Sequence, residues 1–379
     1  MRFGKFGAKN KYIYKIGLLI MPISHNHHYI PQMYLSNWAV DNKLFVYRLL
    51  VSHEKVPLWS QQSVVHTASL NKLYVDIQDS QESDQLEHLF DMNYESPAKE
   101  SFDKIINGTK MSSGDWVKIS NYIVLQYIRT PSFYFYITDI GKTIIPEIIE
   151  NSVKELESVH IRHLKNTSIS AIDQFPDAIP LPFGIQLIEK KEDDKFNLLE
   201  IQAVVGKQLW LYAMLCCIRN KSPILVLFRN LKWSIVTVSD HIFMPSCDNP
   251  VVLCEIKGEK IIRIPPSYGV AGKNKAVIFP VSPTIVLLGT YSRKYAWRFQ
   301  ADECMTEMLR KAIIDNSLMF IYSSYEDYSI PGIKPRLIDS QEYKRYNQQF
   351  DTWFEKYRVE EGPLLTRTHS LSEATINNM

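Results

Sequence analysis

The chain has 379 residues, of which 45% are hydrophobic and 22% are charged, and its formal net charge is +2. These values are typical of a globular protein, and the length allows two domains or one large domain with insertions. The charge excludes the strongly basic balance of a coat-like nucleic-acid binder, but it leaves open an enzyme that contacts nucleic acid through a local patch.

Residues 1–20 are basic and mildly apolar, and we expect them to be a dispensable extension or an over-called start, since Met21 offers an alternative start. The apolar run IGLLIMPI is too short for a membrane span, and no small-residue cleavage site follows it. No membrane association is therefore expected. The five cysteines include no CxxC pair, which favours buried reduced thiols and a cytoplasmic location.

The stretch SHNHHYIPQMYLSNW, residues 24–38, holds the densest chemistry of the chain. Imidazole is the natural general acid or base near neutral pH and the commonest metal ligand. Neighbouring residues of an extended chain point to opposite sides, so His27 and His28 are not expected to face one site. We favour His28, with Gln32 beside it across a rigid Pro31 step. A hydrogen-bonded core or surface histidine is the equally weighted alternative.

Glu87 and Glu95 lie eight residues apart in a predicted helix that Pro97 kinks or breaks. Eight residues are close to two helical turns, so the two carboxylates are expected on roughly one face. Such a pair could ligate Mg²⁺ or act as a base. A solvated helix edge is the commoner origin of this pattern.

The next predicted helix begins after SSGD, residues 112–115, and ends near Thr130–Pro131. Gln126 and Arg129 share one of its faces at i, i+3 spacing, and such a pair suits an anionic group such as phosphate. A cation that complements the helix dipole explains Arg129 equally well. Residues 137–165 are expected to continue as helix.

The run SCDNPVV, residues 246–252, places Asp248 in a turn at the start of a strand. An Asp–Asn–Pro turn is commonly structural, because Asx side chains bond their own backbone. The same geometry can also present a catalytic or metal-binding carboxylate. The structural interpretation is slightly favoured when the turn is considered alone.

The C-terminal half predicts a buried helix at 197–219 and then short β segments at 224–228, 233–238, 250–256, 260–264, 276–281 and 284–289. We expect an α+β fold with helical segments and a mostly antiparallel sheet from the C-terminal half, on which the irregular N-terminal motif segment packs. Residues 21–165 and 197–360 are expected to form one composite domain. Residues 166–196 are expected to be a loop-rich connector or insertion, and 361–379 a disordered tail.

Several familiar motifs are absent from the sequence. It contains no P-loop, GxGxxG, GxSxG or HExxH pattern and no Cys/His spacing for a structural zinc site. These absences argue against nucleotide-driven motors, dinucleotide oxidoreductases, α/β-hydrolases and zincin proteases, and no nucleotide cofactor is expected. The letters HNH at 25–27 lack the downstream spacing of an HNH nuclease.

The motifs taken in order resemble a large bacterial family of unknown function. Its members open with H-Y-x-P-Q-x-Y-L and continue with a paired-Glu helix, a Q-x-x-R helix end, an S-D-x-P turn and an F-P-L-S-P segment; the resemblance covers about residues 27–330. This chain departs from the pattern at Met33 and Ser36, and it separates Ser246 from Asp248. The resemblance implies no particular reaction. Its motif positions here are His28, Pro31, Gln32, Glu87, Glu95, Gln126, Arg129, Asp248 and Pro250.

Two functions from different classes fit these residues. The first is a phosphodiester hydrolase, most simply a nuclease used as a toxin or in defence against phage, that depends on Mg²⁺ or Mn²⁺. In it His28 is the base or a metal ligand, Glu87, Glu95 and Asp248 hold the metal, and Gln32, Gln126 and Arg129 bind the substrate. The second is a binding or sensor protein, in which the same residues form a buried network and an aromatic surface recognises a partner protein or small ligand.

Overall fold

The computed structural model describes residues 26–74, 76–78, 81–83, 85–164, 184–193, 196–204, 207–265, 269, 271–292 and 295–351. The expectations for residues 1–20, 166–183 and 361–379 lie outside the described residues.

The N-terminal half begins with short strands and then becomes helical. Its elements in chain order are β1 Asn26–His28, α1 Gln32–Leu35, β2 Lys43–Arg48, β3 Leu50–Val51, β4 Trp59–Ser63, β5 Ser69–Asn71, β6 Asp76–Gln78, β7 Gln81–Ser83, α2 Gln85–Phe90, α3 Ser96–Ile106, α4 Ser113–Ile128 and α5 Pro131–Leu164. A π-helical turn at Asp91–Glu95 joins α2 to α3. The helix predicted for 137–165 is confirmed as far as residue 164.

The C-terminal half supplies most of the β structure. Its elements are β8 Gly184–Asp193, β9 Phe196–Val204, α6 Lys207–Ile218, α7 Pro223–Asn230, β10 Lys232–Thr237, β11 Ser246–Cys247, β12 Val252–Lys257, β13 Lys260–Arg263, β14 Lys275–Ser282, β15 Ile285–Thr290, β16 Arg298–Gln300, α8 Glu303–Asn316, β17 Phe320–Ser323, α9 Ile330–Ile333, β18 Leu337–Ile338 and α10 Ser340–Asp351.

The largest sheet has six strands in the order β13-β12-β14-β15-β10-β16, all from the C-terminal half. Its neighbours are antiparallel except for β10 and β16, which run parallel. A four-stranded antiparallel sheet, β11-β17-β2-β4, joins strands from both halves of the chain. The predicted α+β class with a mostly antiparallel sheet is therefore confirmed.

Alternate residues of the six-stranded sheet enter two different hydrophobic cores. On β14, Val277 and Phe279 pack in the core that also contains α3, α4 and α6. Ala276 and Ile278 pack in the other core, with α8 and the four-stranded sheet. Side chains of a strand alternate between faces, so one strand serves both layers. The N-terminal motif packs on this sheet through Tyr34, whose ring contacts Phe279.

Helix α4 carries two of the predicted site residues, and its bounds follow from local sequence. The Ser112 side chain accepts a hydrogen bond from the backbone N–H of Asp115, and the Asp115 carboxylate accepts one from the backbone N–H of Ser112. This capping box satisfies two donors at the helix N-terminus. Pro131 disfavours helical geometry at the residue before it, so α4 ends and α5 begins there.

Two secondary-structure predictions were wrong. Residues 224–228 form part of helix α7 and not a strand, because Ser222 caps the helix and Pro223 occupies its first turn. Residues 197–204 form strand β9 and not a helix, since they pair with β8 in an antiparallel hairpin. The pairing with β8 also makes residues 184–193 a strand within the predicted loop-rich connector. Short apolar runs do not separate strand from buried helix by periodicity alone.

Among the described residues, no single helix is long and apolar enough to cross a membrane, although the bent pair Leu209–Ile218 and Pro223–Asn230 reaches that length and composition together.

The five cysteines are free thiols. Cys247 and Cys254 are buried as predicted, whereas Cys304 is exposed.

Candidate functional site

The two histidines of β1 bond to different segments of the chain. The Nε2 atom of His28 lies 3.0 Å from the carbonyl oxygen of Val65, to which it donates. Burial lowers the pKa of His28, so the imidazole is neutral at neutral pH. The Nδ1 atom of His27 accepts a hydrogen bond of 2.8 Å from the backbone N–H of Tyr74. Both rings are therefore oriented by backbone groups.

Arg129, at the C-terminal end of α4, occupies the centre of the site. Its side chain is 1% exposed. Nη1 donates to the Glu95 carboxylate, Nη2 donates to the backbone carbonyl of His28, and Nε donates over 3.3 Å to the hydroxyl of Tyr74. Nη2 also lies 3.9 Å from Glu87. Burial opposes the positive charge, but Tyr74 and the two carboxylates outweigh it and raise the pKa of Arg129 above its usual value.

The π-helical turn helps to bring both carboxylates to this arginine. Eight residues of regular α-helix rotate by about 800°, which is roughly 80° beyond two full turns. The wider π turn at Asp91–Glu95 removes part of that offset, and both Glu87 and Glu95 reach Arg129. Their side chains are 29% and 16% exposed. This edge of the ion-pair cluster therefore borders solvent, while the guanidinium does not.

Gln126 fixes the motif segment one helical turn before Arg129. Its Nε2 atom donates to the backbone carbonyl of Tyr29 over 3.0 Å, and its side chain is buried. Since Arg129 binds the carbonyl of His28, one face of α4 holds two consecutive peptide groups of the motif. Gln32, at the start of α1, lies on the surface instead.

Asp248 lies in a separate buried environment. Its two carboxylate oxygens accept hydrogen bonds of 2.7, 2.6 and 3.0 Å from the backbone N–H groups of Leu318, Met319 and Phe320. Burial raises the pKa of Asp248 to about 6, although these three N–H groups act in the opposite direction. The carboxylate therefore joins the SCDNPVV turn to the connection between α8 and β17.

Three tyrosines of the N-terminal half, Tyr29, Tyr34 and Tyr74, also contribute to the site, although the sequence analysis did not single them out. Tyr74 contacts Arg129 both as a hydrogen-bond acceptor and through its ring, 5.5 Å from the guanidinium carbon. The hydroxyl of Tyr29 lies 3.4 Å from that of Tyr322, which connects the motif to β17. Tyr34 donates to the carbonyl of Pro280 over 2.9 Å. Tyr74 is the fifth residue of the LNKLYV segment, residues 70–75, but nothing in that segment indicates a contact with an arginine.

The structure thus brings together four of the predicted residues, His28, Glu87, Glu95 and Arg129, with Gln126 one turn away. Asp248 is bonded to residues 318–320, and the side chain of Gln32 faces solvent. Within the described parts of the chain, no group of three or more His, Cys, Asp or Glu side chains is arranged to hold a metal ion.

The fold and site define an α+β protein whose N-terminal histidine motif is held by a buried arginine–glutamate cluster. Residues 26–175 match the model of a family described as "Protein of unknown function (DUF4238)". The match contains His28, Glu87, Glu95, Gln126 and Arg129, and it supports a family of unknown function for this part of the chain. No curated protein and no solved structure matches the chain.

Proposed function

We propose that the protein is a binding or sensor protein in which the polar motif residues form a buried structural network. The observation that carries this proposal is the environment of Arg129. Each of its three guanidinium nitrogens donates to a protein group, and the side chain is buried. A substrate phosphate would have to displace the Glu95 carboxylate or the carbonyl of His28, and displacement of the carbonyl would leave a buried polar group unpaired.

The surroundings of Asp248 and Gln126 support the same proposal. Asp248 satisfies three backbone donors between the end of α8 and the start of β17, and Gln126 satisfies the carbonyl of Tyr29. Buried backbone groups need such partners, because an unpaired one costs about 1–3 kcal/mol. The Asp248 side chain therefore accepts hydrogen bonds from the backbone, and the Gln126 side chain donates one to it.

Two alanine variants test this proposal. A structural network predicts that His28→Ala and Asp248→Ala each lower the melting temperature by several degrees. Removal of a catalytic residue more often leaves stability unchanged or raises it. The two variants and the unmodified chain would be compared by thermal unfolding and, in parallel, in nucleic-acid cleavage assays. Unchanged melting temperatures in both variants would contradict the network.

A second candidate function is a phosphodiester hydrolase, and the state of His28 favours it. A neutral imidazole that donates through Nε2 to a backbone carbonyl keeps Nδ1 as a proton acceptor, which suits a general base. The partly exposed carboxylates of Glu87 and Glu95 lie at the same cluster. In this proposal Glu87 and Glu95 would hold Mg²⁺ or Mn²⁺, and Gln32 would contact a nucleic-acid substrate. The fold does not fit Asp248 as a third ligand or Gln126 and Arg129 as substrate contacts, because their polar atoms bond to other parts of the chain.

The hydrolase proposal places the protein in the cytoplasm as a toxin or an anti-phage effector. It predicts cleavage of DNA or RNA by the purified chain with Mg²⁺ or Mn²⁺, and loss of that cleavage in His28→Ala. A matched control is His53→Ala, because His53 is exposed and lies outside the cluster. Absence of cleavage in the unmodified chain, or equal cleavage by His28→Ala, would rule out this role.

A further inference from the structure

Another surface of the molecule combines exposed aromatic rings with carboxylates. It consists of residues 239–244, residues 303–307 at the start of α8 and residues 324–329, and we call it the acidic aromatic surface. Its aromatic members are Phe243, Tyr325 and Tyr328, all exposed, and Tyr328 is 72% exposed. Its acidic members, also exposed, are Asp240, Glu303, Glu307 and Glu326.

Direct contacts hold these three segments side by side. The ring of Phe243 meets that of Tyr325 edge-on, with 5.8 Å between the centroids. The backbone N–H of Ser239 donates to the hydroxyl of Thr306 on α8 over 3.0 Å. The aromatic rings and the acidic face of α8 therefore form one surface.

The nearest cation on α8 is already used inside the fold. Arg310 is buried and donates to Asp327 over 2.5 Å and to Ser329 over 2.6 Å. It also lies 3.6 Å from Glu307 at the edge of the surface. Arg310 therefore fixes the loop that carries Tyr325 and Tyr328, and it does not present an exposed positive charge. The exposed Lys311, one residue further along α8, lies 3.2 Å from the carboxylate of Asp315, its partner towards the C-terminal end of the helix.

The charge of this surface is opposite to that of the whole chain. Residues 239–244, 303–307 and 324–329 contain no lysine or arginine, whereas the chain as a whole has a formal net charge of +2. A local excess of carboxylates repels the phosphates of nucleic acid and attracts cationic groups. Exposed tyrosine and phenylalanine are typical anchors at protein interfaces, because they bury large areas with few rotatable bonds.

We propose that the acidic aromatic surface docks a partner protein through a segment that is rich in lysine and arginine and carries an aromatic or aliphatic anchor. The anchor packs against Phe243, Tyr325 and Tyr328, and the cations pair with the surrounding carboxylates. This inference rests on the proposed binding function and names its surface and the chemistry of its partner. Cation–π contacts with the tyrosine rings add to the charge pairing.

The test uses the full chain and a short synthetic peptide that repeats arginine, lysine and phenylalanine, with binding followed by fluorescence anisotropy. Tyr328→Ser and Glu303→Lys should each weaken binding by about tenfold, because one removes an anchor and the other reverses a charge. Matched controls are Tyr291→Ser, which is 53% exposed, and Glu259→Lys, also at an exposed position, and neither should change binding. Added salt should weaken binding.

No saturable binding of the peptide, or equal losses in the controls, would overturn the proposal. So would equal binding of a peptide with glutamate in place of arginine and lysine, or of single-stranded DNA. Thermal unfolding of each variant confirms that the fold is retained, and Glu303→Lys provides an independent result if Tyr328→Ser fails to fold. Unchanged stability of the His28 and Asp248 variants would contradict the network while leaving this binding result unaffected.

Discussion

Arg129 and Asp248 are both buried charges in motif positions, but the fold stabilises them in different ways. Arg129 is paired with carboxylates and joins α4 to the histidine motif and to the π-helical turn. Asp248 is held by three backbone N–H groups of one short segment. The first arrangement depends on side chains from distant parts of the chain, and the second on the dipoles of a local connection. Loss of the charge should therefore have different consequences at the two positions.

The largest expected effect is that of Arg129→Met. The substitution leaves the buried carbonyl of His28 and the largely buried carboxylate of Glu95 without their partner, and breaking a buried pair in this way costs about 3–5 kcal/mol. The free energy of unfolding would be measured by urea denaturation. A control is Arg345→Ala, which removes an exposed pair with Glu342 and should change stability by less than about 1 kcal/mol. If Arg129→Met and Arg345→Ala lowered the free energy of unfolding by similar amounts, the central position of Arg129 would be contradicted.

Asp248 should make the free energy of unfolding depend on pH. Its folded pKa of about 6 is raised from the ordinary value of 3.8, so the folded state binds the proton more tightly than the unfolded state does. The resulting stabilisation is fully present below pH 3.8 and is lost as the pH rises through 6, with a size of about 3 kcal/mol.

The measurement compares the pH dependence of the unfolding free energy in the unmodified chain and in Asp248→Asn, which cannot titrate. The unfolding free energy of the unmodified chain minus that of Asp248→Asn should fall between pH 4 and pH 6.5 and stay level at higher pH. A difference that rises over this range would show that the three N–H groups hold the folded pKa below its ordinary value.

The smallest expected effect separates the two glutamates. Glu95 bonds Arg129 directly, whereas Glu87 lies 3.9 Å away and is more exposed. Glu95→Gln should therefore cost about 1–3 kcal/mol, and Glu87→Gln less than about 1 kcal/mol. Chemical denaturation of both variants checks the order. Equal losses would show that the guanidinium interacts with the two carboxylates alike.

Local signals in the sequence predict some of these features well. The helix predicted to begin after SSGD begins within that run, at Ser113, and ends at Ile128, close to the predicted Thr130–Pro131 step. The i, i+3 spacing put Gln126 and Arg129 on one face. Ser222–Pro223 was an available helix-start signal, although the apolar run after it suggested a strand. The burial of a side chain is not predicted by such local signals, because it depends on which distant segments of the chain pack together. The sequence therefore could not indicate that Arg129 binds the backbone of His28, or that a π turn aligns Glu95 with it.

Arg129 and Glu95 act together to hold the histidine motif in the fold. The most direct test is a double-mutant cycle of Arg129→Met and Glu95→Leu, with unfolding free energies measured for both single variants and the double variant. We expect a coupling energy of about 2 kcal/mol or more, because Glu95→Leu leaves the buried guanidinium without this partner, Arg129→Met leaves the largely buried carboxylate without its partner, and the double change leaves neither charge. Single variants that both remain within about 0.5 kcal/mol of the unmodified chain would contradict it.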